Sequence, residues 1–193
     1  MKKIEMVLFI AAALGAVLML NVDDDSTLVI LSFSSLSLFY FFLSFVLFND
    51  IRLRDIFKKS AYHNTNAKKI IGAIVLGFTI SIIIIGALFR FLLVEGGNLL
   101  HLFGLMVLIV ILIINVILYL RSMEKYYVNT LIRTIIYGVL GVILFYTPHS
   151  AFLRIYYRGY PEYIELYKKL EANPENKELR YELVHMEEEM FRP

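Results

Sequence analysis

Three ionisable residues interrupt a strongly apolar stretch: Arg90, Glu95 and His101 lie within GALFRFLLVEGGNLLHLFGLMVLIV, residues 86–110. A base, an acid and an imidazole so placed are the types needed to relay a proton or to hold a charged ligand. The apolar run after Arg90 puts it about 7 Å below a helix end at 1.5 Å per residue, within snorkelling reach of the headgroups. Glu95 falls in a glycine-containing turn and His101 in the first turns of the next helix. All three are therefore expected at one interface. The plain expectation is a hydrogen-bonded cluster closing a hairpin; the sharper one is a coupling or ligand site. Arg133 is expected to snorkel to the opposite interface.

Other chemistry is sparse. The chain has no cysteine, which excludes a disulfide framework, a thiolate metal site and a cysteine nucleophile. The histidines, His63, His101, His149 and His185, are scattered, and no phosphate-cradling glycine loop or serine–histidine constellation occurs. No Asp, Glu, Lys, Arg or His is read at mid-depth in any span, where pumps and ion-coupled carriers keep such groups. The expectation is a non-enzymatic protein with no cofactor and no metal.

The elements that must position these residues are membrane spans. Of 193 residues, 59% are apolar and 19% charged, with mean hydropathy +0.70. A soluble domain is about 45–50% apolar and about 25% charged. A crossing needs about 20 apolar residues, and five segments qualify: 4–22, 27–48, 70–94, 98–120 and 130–147. The first reads as a retained span rather than a cleaved signal peptide, because the apolar run continues past its small residues to the acidic stop at Asp23. The connections alternate in charge. Asp23, Asp24 and Asp25 fill one and Glu95 another, whereas Arg52, Arg54, Lys58, Lys59, Lys68 and Lys69, then Arg121 and Lys125, fill the other two. With Lys2 and Lys3, the basic connections place the amino end in the cytoplasm, and five crossings place the carboxyl end outside.

Small residues at helical spacing predict close packing of helices. Ala73, Gly77 and Ser81 repeat on the third span, with Gly15 on the first and Gly86 nearby. Ser34, Ser37, Ser44 and Asn115 suit helix association or the lining of a pore in an oligomer. The stretch DIRLRDIFKK predicts a short helix on the inner leaflet, its Arg52, Arg54, Lys58 and Lys59 facing anionic lipid or a partner. Nucleic-acid binding is not expected of these bases.

A shift of 71 residues lays 15–31 on 86–102, aligning Gly-Ala with Gly-Ala and Asp24 with Glu95. This predicts a parallel repeat of a helical hairpin. The second copy, IIIIGALFRFLLVEGGNLLHLFGLMVLIVILI, resembles the transmembrane hairpin of GldL, the cytoplasmic-membrane component of the gliding and type IX secretion motor. Gly86, Ala87 and Phe89 match that motif, Arg90 stands for its lysine, Gly96 keeps the turn glycine, and Gly104-Leu105 opens the second helix. The resemblance covers only the hairpin. It implies a shared scaffold, but Leu108 occupies the place of the family's intramembrane glutamate, and Val94-Glu95 replaces a tryptophan–proline pair. A leucine cannot carry a proton, so the resemblance does not extend to a motor.

From Pro148 the composition becomes that of a soluble segment. Tyr160-Pro161-Glu162 predicts one helix start, with an apolar face of Tyr163, Ile164, Tyr167 and Leu170. Asn173-Pro174-Glu175 predicts a second start with Asn173 as its cap. NPENKELRYEL is similar to one step of a tetratricopeptide array, which suggests protein docking.

Together these readings predict an all-α, five-span protein of the bacterial cytoplasmic membrane, residues 1–147, with an extracytoplasmic helical tail, residues 148–193. Its expected role is that of an envelope-complex subunit of the gliding or secretion type, a homo- or hetero-oligomer contacting the lipid bilayer and other membrane proteins. The alternative is a small pore-forming or regulatory effector of a bacterial defence system such as CRISPR.

Overall fold

The computed structural model describes residues 1–19, 26–63 and 65–190, and the backbone alone at 155 and 156. Asp23, Asp24 and Asp25, the acidic part of the first repeat copy, lie outside the described residues. Every regular element that is described is helical: α1 (Lys2–Met19), α2 (Thr27–Phe48), α3 (Ala67–Phe91), α4 (Gly97–Ser122), α5 (Lys125–Tyr146), α6 (His149–Tyr156), α7 (Pro161–Ala172) and α8 (Lys177–Met190). They form two compact units, Met1–Thr147 and Pro148–Pro193.

In the first unit, α2 to α5 are each long and apolar enough to cross a membrane. The helix α1 is not among them. Its 18 described residues include Lys2, Lys3 and Glu5 at the start. Side-chain ties fix an up-and-down arrangement. Lys2 reaches Asp50, just past α2; Lys69, at the start of α3, pairs with Glu124; and Tyr126 Oη donates to the Lys69 carbonyl at 2.7 Å. These contacts gather the starts of α1, α3 and α5 and the ends of α2 and α4 at one end, which also carries the basic connections. This is the basic end of the unit.

The helix α3 is the hub, with 56% of its most apolar stretch buried against 22% in α4 and 22% in α5. Small residues make this possible. A Cβ on Gly77 would lie 2.1 Å from Ser44, one on Gly86 2.7 Å from the His101 Cα, and one on Gly15 2.9 Å from Ser32 Oγ. The expected packing positions therefore sit at real crossings: Gly15 between α1 and α2, Gly77 between α2 and α3, and Gly86 between α3 and α4. Ala73 is fully buried, and the Ser81 hydroxyl lies 2.7 Å from that of Ser37. Ser37 and Ser44 are thus spent on the α2–α3 contact rather than on a pore.

Two connections depart from expectation. The basic stretch is not a continuous helix but two 3₁₀ turns, Leu53–Asp55 and Lys59–Tyr62. A 2.8 Å bond from Lys58 to Asp55 and one from Tyr62 Oη to the Ile56 carbonyl fold it back on itself. The Lys58 ammonium holds the Asp55 carboxyl below its ordinary range, and Phe57 stands 99% exposed. The hairpin after α3 ends the helix earlier than the apolar run suggests. Val94 N donates to Phe89 O and Leu93 N to Arg90 O, with Leu93 at φ 57°, the bonding pattern of a left-handed helix terminus. Gly96 follows at φ 80°.

In the second unit, Pro161 occupies the first turn of α7 as expected. The cap of α8 is Asn176 rather than Asn173, since its Oδ1 accepts from Glu178 N at 2.9 Å and Leu179 N at 3.3 Å. Asn173 closes α7 instead. Tyr163, Ile164 and Leu166 of α7 and Leu183 of α8 are buried, and burial pushes the Tyr163 phenol up. The helix α6, with buried Phe152 and Leu153, has no signal in the sequence reading, because eight residues are too few to show a clear period.

Candidate functional site

The polar residues of the first unit form two ties, one toward each end. Arg90 lies in the last turn of α3, 8% exposed. It does not snorkel. Its Nη1 donates to Asn98 Oδ1 at the start of α4, its Nη2 donates to the Thr147 carbonyl beyond α5 at 2.7 Å, and its guanidinium lies over the Phe145 ring at 5.7 Å. With α3 ending at Phe91, the arginine sits at the helix terminus, where neighbouring backbone is within reach. One cation thus closes α3, α4 and α5 together.

His101, a little over one turn into α4, is fully buried. Its Nε2 bonds the Gly141 carbonyl at 2.9 Å, and its ring stacks parallel to Phe145. Its Nδ1 has no hydrogen-bond partner among the described residues. The histidine fits because Gly86 of α3 and Gly141 of α5 leave room on either side of it. Arg90 and His101 are therefore neighbours through α5, while Glu95 is exposed on the turn and joins neither. The expected three-residue cluster is a two-residue one. Its missing members, Asn98, Thr147 and Gly141, offer neutral acceptors, which charge patterning does not reveal.

The second tie has no counterpart in the sequence reading. Arg133, about a third of the way along α5, bonds both carboxylate oxygens of Glu5 in α1: Nε to Oε1 at 2.6 Å and Nη2 to Oε2 at 2.6 Å. Tyr40 of α2 donates its hydroxyl to the same Oε1. The two charged side chains are 12% and 14% exposed. The Arg133 guanidinium lies 5.4 Å over the Phe48 ring, and the Tyr40 ring meets that of Tyr137 edge-on at 5.1 Å. The expectation that Arg133 snorkels is thus replaced by a largely covered, bidentate pair. The 128 residues between the partners explain why spacing could not find it. So does the position of Glu5, which reads as an interfacial residue at the very start of a span.

Chemically, both oxygens of the Glu5 carboxylate already accept hydrogen bonds, so the arrangement joins α1, α2 and α5 rather than presenting a vacant base. Leu108 is buried within contact distance of Gly138. Asn115 is buried in α4. No group of three His, Cys, Asp or Glu is placed to hold a metal ion among the described residues. Compared with protein-family models, curated proteins and solved structures, the chain matches none.

Proposed function

We propose that the chain is a five-span protein of a bacterial cytoplasmic membrane and serves as a non-catalytic subunit of an envelope complex, on a scaffold akin to the GldL hairpin. The observation that carries this reading is how the polar and apolar surfaces are divided. Arg90, His101, Glu5 and Arg133 are turned inward and bonded to neighbouring helices. The outward faces of α4 and α5 expose Ile109, Ile113, Ile117, Ile132, Val139 and Ile143. Apolar faces that wide are suited to lipid or to another membrane helix.

In this reading α1 is the fifth span. Its first turns are too charged for a free-standing crossing, and the Glu5–Arg133 pair removes that difficulty by neutralising Glu5 inside the bundle. The lysines and arginines of the basic end then face the cytoplasm, and the second unit lies on the far side, where the α7–α8 helix pair offers a docking surface.

The test is a pull-down from native membranes read by mass spectrometry, combined with accessibility mapping of tags at both termini. Recovery of envelope or secretion components with an external carboxyl terminus supports the proposal. A carboxyl terminus found in the cytoplasm removes the five-span topology. Purified chain that dissipates a membrane potential in liposomes replaces the subunit reading with that of a membrane-perturbing effector.

A further inference from the structure

Along most of their length α1 and α5 stand apart. They meet through Glu5 and Arg133 and, one turn further, through Phe9 and Tyr137, whose rings are 6.1 Å apart and edge-on. Beyond that contact the two helices frame a cavity of about 250 Å³ walled only by apolar surface, with α2 and α3 as its floor. Ala13 and Ala16 line its α1 side, and Leu140 and Leu144 its α5 side. Toward the basic end a second cavity of about 360 Å³ adjoins the first, sharing Phe9 and Tyr137 as walls. Its lining is mixed: Lys2, Glu5, Asn129 and Arg133 beside Met6 and Ile132.

We infer that this seam is a phospholipid site, with one acyl chain in the apolar cavity and the phosphate in the polar mouth beside Lys2 and Asn129. The inference rests on the reading of α1 as a membrane span. Three observations select this occupant. The first is polarity: a cavity without polar walls offers water no partners, whereas a molecule with one ionic end and one hydrocarbon end matches the two cavities in sequence. The second is length. From Asn129 to Leu144 along α5 the rise is about 22 Å at 1.5 Å per residue, which is about half of a bilayer that measures 40–45 Å with its headgroups. The third is charge. Glu5 and Arg133 neutralise each other, and Lys2 is left as the mouth's cation, held to Asp50 only through a half-exposed 3.2 Å contact. A phosphate can compete for that ammonium, and the Asn129 amide, in the wall of the same cavity, supplies a second donor. The seam is dry where the tail belongs and cationic where the head belongs.

The experiment uses the full chain in vesicles of phosphatidylethanolamine and phosphatidylglycerol containing a trace of phosphatidylglycerol with a mid-chain diazirine. After irradiation, labelled residues are mapped by mass spectrometry. Labelling at Ala13, Ala16, Leu140 and Leu144 several-fold above that at Ile113 and Ile117, on the outward face of α4, supports the site. So does its loss in Ala16→Phe, which fills the cavity, with Ile113 and Ile117 labelled as before. Lys2→Glu is expected to lower seam labelling while leaving α4 unchanged. Labelling of the seam no stronger than that of α4, or unaltered by Ala16→Phe, overturns the proposal. Cross-links joining the seam to a second copy of the chain overturn it as well. If the α4 face is also unlabelled, the membrane reading fails and not the site alone.

Discussion

Two arginines of the first unit, Arg90 buried and Arg133 largely covered, are alike in surroundings and differ in what they bind. Each lies over a phenylalanine ring, Arg90 over Phe145 and Arg133 over Phe48, and each binds helices together. Arg133 meets a carboxylate in two parallel bonds, with a tyrosine as third donor. Arg90 donates to an amide oxygen and a backbone carbonyl. The first tie is ionic and joins helices at opposite ends of the unit's sequence. The second joins consecutive helices. Where chain connectivity does not keep helices adjacent, matched charges hold the distant helix in place.

The largest effect should come from stranding one charge. Arg133→Leu leaves the largely covered Glu5 carboxylate without its cation, a loss of at most about 3–5 kcal/mol, whereas the Glu5→Leu/Arg133→Leu double variant should recover most of it. Ellipticity melts in mild detergent would read both, and a double variant as unstable as the single one breaks the comparison. Next comes Arg90→Leu, which removes the charge-assisted bonds to Asn98 and Thr147, at about 1.5–3 kcal/mol. Unlike the first pair, no second-site change at Asn98 should restore it. Tyr40→Phe takes one donor from Glu5 and should lower stability by about 1.5 kcal/mol. Equal melting of this variant and wild type would mean that Arg133 alone satisfies the carboxylate. Gly96→Ala places a Cβ at φ 80° and should cost about 1 kcal/mol, with the Arg90–Asn98 bond read by the melt of the Arg90→Leu/Gly96→Ala double variant, where the two losses should add. Glu95→Gln is the smallest, within about 0.5 kcal/mol. A larger loss would restore Glu95 to the cluster from which the structure removes it.

Much of the scaffold is legible in the sequence because lipid imposes long-period, local rules. Apolar runs of about 20 residues mark α2 to α5, and small residues four apart mark where Gly77 and Ser81 let α2 approach α3. The ties are less legible because they depend on partners remote in sequence or neutral in charge. Glu5 and Arg133 each look interfacial when read alone. His101 looks like a rim residue until Gly86 and Gly141 are seen to open a slot for it. Asn173 and Asn176 both precede apolar periodicity, and only the backbone donors of Glu178 and Leu179 separate cap from terminator. Likewise the basic stretch has the composition of a surface helix, but the Lys58–Asp55 bond closes a tighter turn first.

Gly141 has a mechanical consequence for α5. Its bare Cα faces Leu105 and Ile83, and its carbonyl holds His101; one turn on, Phe145 serves both His101 and Arg90. Turning α5 by a single residue, about 100°, would present the neighbouring Leu140 or Val142 side chain to that slot and withdraw all of these contacts at once. The helix therefore behaves as a keyed shaft: it can be seated in one angular setting or pulled out, with no stable notch between.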